Sequence, residues 1–260
     1  MRILITNDDG IRAEGLGVLR AIAAAIAGPE NVWTVAPAFE QSGVGHCISF
    51  SKPVLLEQLG PREFAVDGTP ADCVLVGLSD VMADAPPDLI LSGVNRGNNS
   101  AENTLYSGTV GAVIEGALHH VKSIALSQYY GPDNRDLANT FEAAEAWGER
   151  VVRGLLDNGP WHDGPYDLFY NVNFPPVPAA QVAGVRAVTQ GWRAETEFRA
   201  SPQMRGFRRF LWIEGGRQDI PTEPGSDAHA NLAGFVSVTP MRADLTAHGA
   251  IDALRRTFAE

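Results

Sequence analysis

The chain has 260 residues, 45% of them hydrophobic, with a net charge of −11 and two cysteines. That is enough apolar material for one large core and excludes a disordered chain; the acidic balance excludes a general affinity for nucleic acid polymers or anionic membranes. No apolar run approaches the roughly 20 residues that cross a bilayer, and the chain opens on a strand pattern rather than a signal peptide, so a cytoplasmic protein is expected, with Cys47 and Cys73 as reduced core thiols.

Residues 3–6 alternate, are rich in Ile and Leu, and run directly into Asn7-Asp8-Asp9-Gly10, so a buried strand opens at once into two carboxylates and a glycine turn. Further strand patterns lie at 32–36, 64–66, 89–92 and 124–127, with helical patterns at 15–27, 70–82 and 107–121 between them. This alternation predicts an α/β protein built on a parallel, doubly wound sheet. In the second helix Thr69 is the expected N-cap, Pro70 takes the first position and Asp72 completes a capping box, while Val74, Leu75, Leu78, Val81 and Met82 share a face. A long amphipathic helix is predicted over about 136–156.

Beyond about residue 160 the texture changes. Strand patterns at 168–174, 184–189, 207–214 and 235–239 are joined by Gly/Pro-rich loops, notably 215–225, with no helix of ordinary length. One domain over 1–260 is expected, its core mostly within about 1–160. The rest would add core strands and a hairpin or extended arm suited to oligomerisation.

Open α/β sheets gather ligands at the carboxyl ends of their strands, and four polar loops belong there. They are Asn7-Asp8-Asp9-Gly10, Glu40-Gln41-Ser42-Gly43, the run SGVNRGNN at 92–99, and Tyr106-Ser107-Gly108-Thr109 at the start of a helix. Two carboxylates joined by a Ser hydroxyl and an Asn carbonyl form an all-oxygen shell suited to Mg²⁺ or Mn²⁺, and these loops carry no thiolate or imidazole for zinc. The Ser107-Gly108-Thr109 turn offers backbone N–H groups at a helix N-terminus, an anion site. Each loop alone also fits a plain turn or cap; together they point to phosphate ester chemistry. The six histidines show no metal-ligand spacing, and Arg205, Arg208 and Arg209 fit a solvated strand edge.

MRILITNDDG at the start, VAP at 35–37 with QSG at 41–43, GTPADCV at 68–74, SGVNRGNN, YSGTVGA at 106–112 and GFVSVTP at 234–240 closely resemble the SurE family of survival-protein 5′-nucleotidases, in order and over nearly the whole chain. The resemblance implies a phosphatase for nucleoside 5′-monophosphates with a Rossmann-like three-layer core, a C-terminal segment exchanged between subunits, and a homodimer or homotetramer. It implies one divalent ion per subunit, Mg²⁺ or Mn²⁺, on Asp8, Asp9, Ser42 and Asn95, with Asn99, Ser107, Gly108 and Thr109 holding the substrate phosphate. Some members also act on 3′-nucleotides or short polyphosphate. The chain departs from many relatives at Phe39-Glu40-Gln41, where they are more basic.

The expected mechanism is direct hydrolysis, with Asp8 or Asp9 orienting a water or accepting its proton and Asn99, Ser107, Thr109 and the helix N-terminus stabilising the phosphoryl oxygens. An aspartyl-phosphate mechanism needs two Asp residues two apart, whereas here they are adjacent. A nucleotide-binding module that uses the metal only to hold its ligand needs similar residues. A nicotinamide dehydrogenase is disfavoured, because the first turn lacks G-x-G-x-x-G.

Overall fold

The structure is a computed structural model that describes residues 1–131, 133–194 and 198–258. In chain order its strands are β1 (Ile3–Thr6), β2 (Val32–Pro37), β3 (Leu56–Gly60), β4 (Glu63–Val66), β5 (Leu89–Arg96), β6 (Lys122–Gln128), β7 (His162–Asp163), β8 (Tyr166–Asp167), β9 (Phe169–Phe174), β10 (Gly184–Ala187), β11 (Arg199–Arg205), β12 (Arg208–Glu214) and β13 (Phe235–Met241). Its α-helices are α1 (Glu14–Ala27), α2 (Pro70–Val76), α3 (Gly108–Leu118), α4 (Glu142–Asn158), α5 (Asp227–Leu232) and α6 (Ile251–Thr257).

Nine strands form one sheet in the order β10-β13-β9-β6-β5-β1-β2-β4-β3. From β9 to β4 every neighbouring pair is parallel. β3 on one side and β13 on the other run antiparallel to this block, and β10 pairs parallel with β13. The chain leaves β1 toward β2 and later returns to β5 on the opposite side of β1, so the order reverses between β1 and β5. A crevice for ligands opens at such a reversal.

The strands are apolar on both faces because both faces are covered. Ile3, Ile5, Leu89 and Leu91 join the core beneath α1 and α4, while Leu4 and Ile90 between them pack with Val74 of α2 on the other face. This is the three-layer α/β architecture that the alternation predicts, and it explains why β1 and β5 read as continuous hydrophobic runs. Helix α2 starts at the predicted capping box: the Thr69 hydroxyl accepts from Asp72 N–H, and the Asp72 carboxylate accepts from Thr69 N–H.

Several boundaries differ from the sequence expectation, each for a local reason. The long helix begins at Glu142 rather than 136, because Asn134 and Asn139 accept hydrogen bonds from Gly131 and Phe141 N–H and hold the preceding segment in turns. The helix expected to reach residue 82 passes into a wider π turn at Gly77–Val81, closed by Met82 N–H on the Gly77 carbonyl. β5 runs on to Arg96, with an irregularity against β6 between Ser92 and Asn95, so Asn95 belongs to the strand end rather than to the loop. Edge strand β3 carries no clean alternation, and the β11 half of the hairpin holds Pro202; neither was expected as a strand. Both cysteines are free; Cys73 is buried as expected, but Cys47 is exposed.

Candidate active site

The four polar loops line one cavity of about 450 Å³ at the carboxyl edge of β1 and β5. Asp8, Asp9, Glu40, Ser42, Asn95, Arg96, Asn99 and Ser107 are in its wall. The turn after β1 is closed from within: the Asn7 side-chain amide donates to the Gly10 carbonyl at 2.9 Å, and Gly10 takes φ +98°, a conformation that glycine adopts without strain. Gln41 N–H then donates to the Asp8 carbonyl at 2.7 Å, which lays the loop bearing Glu40 and Ser42 against the Asp pair.

Asp8 is almost wholly buried, 5% exposed. Its carboxylate accepts two hydrogen bonds from one residue, Thr109 Oγ1 at 2.6 Å on Oδ1 and Thr109 N–H at 3.0 Å on Oδ2. The N-terminus of α3 therefore already holds an anion, the protein's own. Gly108 permits this approach, since a Cβ there would stand 3.0 Å from the Asp8 Cβ and 3.1 Å from Pro70 Cγ. Burial lifts the Asp8 pKa to about 6, the Thr109 hydroxyl works against the rise, and the Asp9 charge adds to it. Asp9 is also pushed up, first by burial and then by the charge of Glu40, while the Arg96 backbone N–H at 3.2 Å holds it down.

The expected phosphate contacts divide. Ser107 caps α3 by accepting Val110 N–H at 3.1 Å, and its hydroxyl proton stays available to a ligand. Asn99 gives one amide hydrogen to Ser127 Oγ at 2.8 Å and keeps the other. Both line the cavity. Gly108 and Thr109 lie outside the lining, and both Thr109 donors are spent on Asp8.

Around Asn99 the structure adds residues that the sequence reading did not single out. Asn173 Oδ1 accepts the Asn99 N–H at 2.7 Å, and Asn171 Nδ2 and Thr104 Oγ1 both donate to the Asn99 carbonyl at 2.8 Å. Behind the loop, buried Arg193 donates to the Ser100 carbonyl and to Asn98 Oδ1, each at 2.9 Å, and Asp227 accepts the Ala101 N–H. Asn171 and Asn173 did leave a signal, two amides at strand period in the otherwise apolar FYNVNF. Arg193 and Asp227 left none.

The donor set fits a hard divalent cation. Among the described residues no three His, Cys, Asp or Glu side chains cluster to hold a metal ion by themselves. What lines the cavity instead is two carboxylates with a hydroxyl and an amide whose donor hydrogens are engaged within their own loops. Asn95 Nδ2 donates to the Gly97 carbonyl at 2.9 Å, and Ser42 Oγ donates to Glu40 Oε1 at 2.7 Å. Oxygen lone pairs are left for an ion, the chemistry that Mg²⁺ and Mn²⁺ prefer.

Comparison with known proteins gives one family. Residues 3–197 match the family model described as survival protein SurE. The 5′-nucleotidase SurE of Ruegeria pomeroyi is 61% identical over 99% of this chain and 100% of that protein, and the 5′-nucleotidase SurE of Roseobacter denitrificans is 63% identical over 95% and 96%. The crystal structure of the SurE protein from Aquifex aeolicus superposes with a TM-score of 0.82 at 33% identity, covering 99% of this chain and 100% of that one.

Proposed function

Because the chain belongs to the SurE family, we propose that it is a 5′-nucleotidase, a phosphoric monoester hydrolase that releases phosphate from nucleoside 5′-monophosphates with the help of one divalent ion per subunit, Mg²⁺ or Mn²⁺. The observation that carries this reading is the buried Asp8 beside Asp9 in a cavity that also presents Ser42, Asn95, Asn99 and Ser107. Asp8, Asp9, Ser42 and Asn95 would hold the ion. When bound, such an ion neutralises a phosphate oxygen and acidifies a water.

The chain's own groups do the rest. Asn99 and Ser107 donate to the phosphoryl oxygens, where negative charge must be held as the P–O bond breaks. Thr109 serves differently from its first expectation: it fixes the Asp8 carboxylate, and the peptide dipoles of α3 reach the site through that carboxylate. Asp8 or Asp9 orients the attacking water or accepts its proton, and Asp9 acts chiefly as a ligand. Hydrolysis of 3′-nucleotides or short polyphosphate would use the same groups.

The active unit on this reading is a homodimer or homotetramer assembled through the C-terminal arm, with the β11–β12 hairpin as its exposed apolar surface. The two unpaired cysteines are consistent with work in the reducing cytoplasm. No helix among the described residues is long and apolar enough to cross a membrane.

The test is phosphate release from 5′- and 3′-nucleoside monophosphates and short polyphosphate by EDTA-stripped protein, before and after Mg²⁺ or Mn²⁺ is restored. Metal-restored release that favours 5′-monophosphates is expected. Silence with every metal, from protein shown to be folded and to bind nucleotide, would instead identify a nucleotide-binding module.

A further inference from the structure

The segment that brings Ser42 to the site is long and irregular. Residues 38–55, between β2 and β3, form turns and irregular chain, and Glu40, Ser42 and Gly43 are exposed. The place of Ser42 therefore depends on where this segment is tied. Gln41 N–H reaches the Asp8 carbonyl on one side of Ser42, and on the other Gly45 N–H donates to the Tyr106 carbonyl at 3.0 Å, just ahead of α3. Gly111 lets the segment lie directly on the helix, since a Cβ there would stand 2.4 Å from the Gly45 carbonyl oxygen. One turn further along α3, Glu115 Oε2 meets His46 Nε2 at 2.6 Å. Beyond His46 the segment is tied to the start of α2, where Asp72 accepts the Ser49 N–H at 2.8 Å.

Glu115 is a buried carboxylate, its side chain only 6% exposed, whereas the His46 side chain is 28% exposed. Its other oxygen lies 3.1 Å from His119 Nε2. The His46 hydrogen bond holds the Glu115 pKa below the usual carboxylate value, with burial working against it, so the carboxylate accepts and His46 Nε2 donates. A buried charge is costly unless it is paired, and this one is paired with the segment that carries Ser42.

The same helix fixes Asp8, whose carboxylate is held by Thr109 in the first turn. Glu115 lies six residues on, about 9 Å along the axis. Asp8 from the end of β1 and Ser42 from the segment after β2 are thus both referred to one rigid element.

Resting on the metal-dependent nucleotidase reading, we infer that His46 and Glu115 are positioning residues for the metal site: their contact ties the Ser42 segment to α3 and so fixes Ser42 at the separation from Asp8 at which one ion can bind both. Neither residue is in the cavity wall. The pair acts through Ser42.

The experiment measures Mn²⁺ affinity by titration calorimetry on EDTA-stripped, full-length protein, together with amide hydrogen exchange of residues 41–46 without metal. His46→Ala removes the tie, and His46→Gln returns an amide N–H near the reach of Nε2. His119→Ala removes the other imidazole on Glu115 and leaves the segment tied. In His46→Ala the affinity is expected to fall about tenfold, as for groups that orient metal ligands, with faster exchange at Gly45. His46→Gln should recover most of the loss, and His119→Ala should stay within about twofold of wild type. His46→Asn, whose amide stops short of Glu115, takes the place of the alanine variant should that one fail to fold by circular dichroism. An affinity in the broken variant within about twofold of wild type, a loss that His46→Gln does not reduce, or an equal loss in His119→Ala would overturn the positioning role and leave the nucleotidase reading standing. A folded wild type that binds neither Mn²⁺ nor Mg²⁺ would overturn both.

Discussion

Two regions of this molecule break the ordinary rule of apolar inside and polar outside, in opposite directions. At the carboxyl ends of β1 and β5, Asp8, Asn99, Ser107 and Thr109 are buried, and so are Asn171 and Asn173 behind them. Along the β11–β12 hairpin, Phe210, Leu211, Trp212 and Ile213 are exposed, and Phe207 at its turn is fully so. Burying a polar group costs about 1–3 kcal/mol unless it is hydrogen-bonded, and each of these six residues has a named partner, although Thr6 Oγ1, Asn7 Oδ1 and Ser92 Oγ at the same edge have none among the described residues. The exposed apolar side chains in a row are covered by nothing among the described residues. The first departure marks chemistry, which needs charges held fixed in a dry place; the second marks association, which needs surface that another molecule can cover.

The sharpest way to break the comparison is to strip the charge from its buried half. Asp8→Asn keeps the size of the side chain but, on the proposed scheme, removes an anionic ligand and a group that orients or deprotonates the water, so kcat is expected to fall by about a thousandfold or more while the circular dichroism spectrum stays that of the wild type. Near wild-type turnover at saturating Mn²⁺ would end the proposed scheme. Thr109→Val asks a subtler question. It removes the 2.6 Å hydrogen bond to Asp8 without touching the cavity wall, and groups that orient metal ligands are typically worth about 10–100-fold. Mn²⁺ affinity by titration calorimetry, alongside kcat, should show a loss in that range; a loss in KM alone would make Thr109 a substrate contact after all.

That distinction shows how far the sequence reads. Asp8 and Asp9 were legible because carboxylates immediately after an apolar strand have one natural address in an open parallel sheet, its carboxyl edge. The start of α3 was legible as well, from Ser107 and the glycine after it. What occupies that helix end was not: the turn reads as a phosphate site, and the structure puts the Asp8 carboxylate on it, from 101 positions away. Gln218 meets Asn103 across 115 positions, and Asp227 meets Ala101 across 126. Contacts of that span are fixed by strand order and loop path, which periodicity does not encode. Cys47 failed for the converse reason, since its apolar neighbours suggest burial while its segment crosses the surface beside α3.

The buried half should also be the pH-sensitive half. Metal and proton compete for Asp8, whose pKa is raised to about 6, so Mn²⁺ affinity should fall by about tenfold per pH unit below that value for each proton displaced. In EDTA the sign reverses. A carboxyl that binds its proton more tightly folded than unfolded adds stability that is full below the ordinary aspartate value of 3.8 and lost as pH rises through about 6. Metal-free wild type should therefore melt higher at pH 5 than at pH 7.5. Asp8→Asn should shrink that difference, Asp9 retaining a part of the same sign. A metal-free Tm that does not change, in wild type and variant alike, would mean that Asp8 is better solvated than its 5% exposure indicates.

The hairpin should give the smallest change in stability and the clearest change in mass. Ile213 and Leu211 are 68% and 55% exposed, and β11 and β12 pair only with each other. Replacing both with Glu removes little buried area, so at a concentration too low for association the stability is expected to stay within about 0.5 kcal/mol of wild type per site, as for ordinary surface substitutions. At higher concentration the same variant should show a lower mass by light scattering, because two carboxylates would have to be desolvated wherever the apolar face is covered. Were the dilute protein to lose several degrees in Tm with its mass unchanged, the hairpin would be packing within its own chain and the contrast with the β1–β5 edge would collapse. Because Phe198 and Gln218 stand at the roots of this hairpin and line the cavity, the lower-mass form should also bind AMP less tightly while its Mn²⁺ affinity holds, which separates an arm that only joins subunits from one that also shapes the cavity.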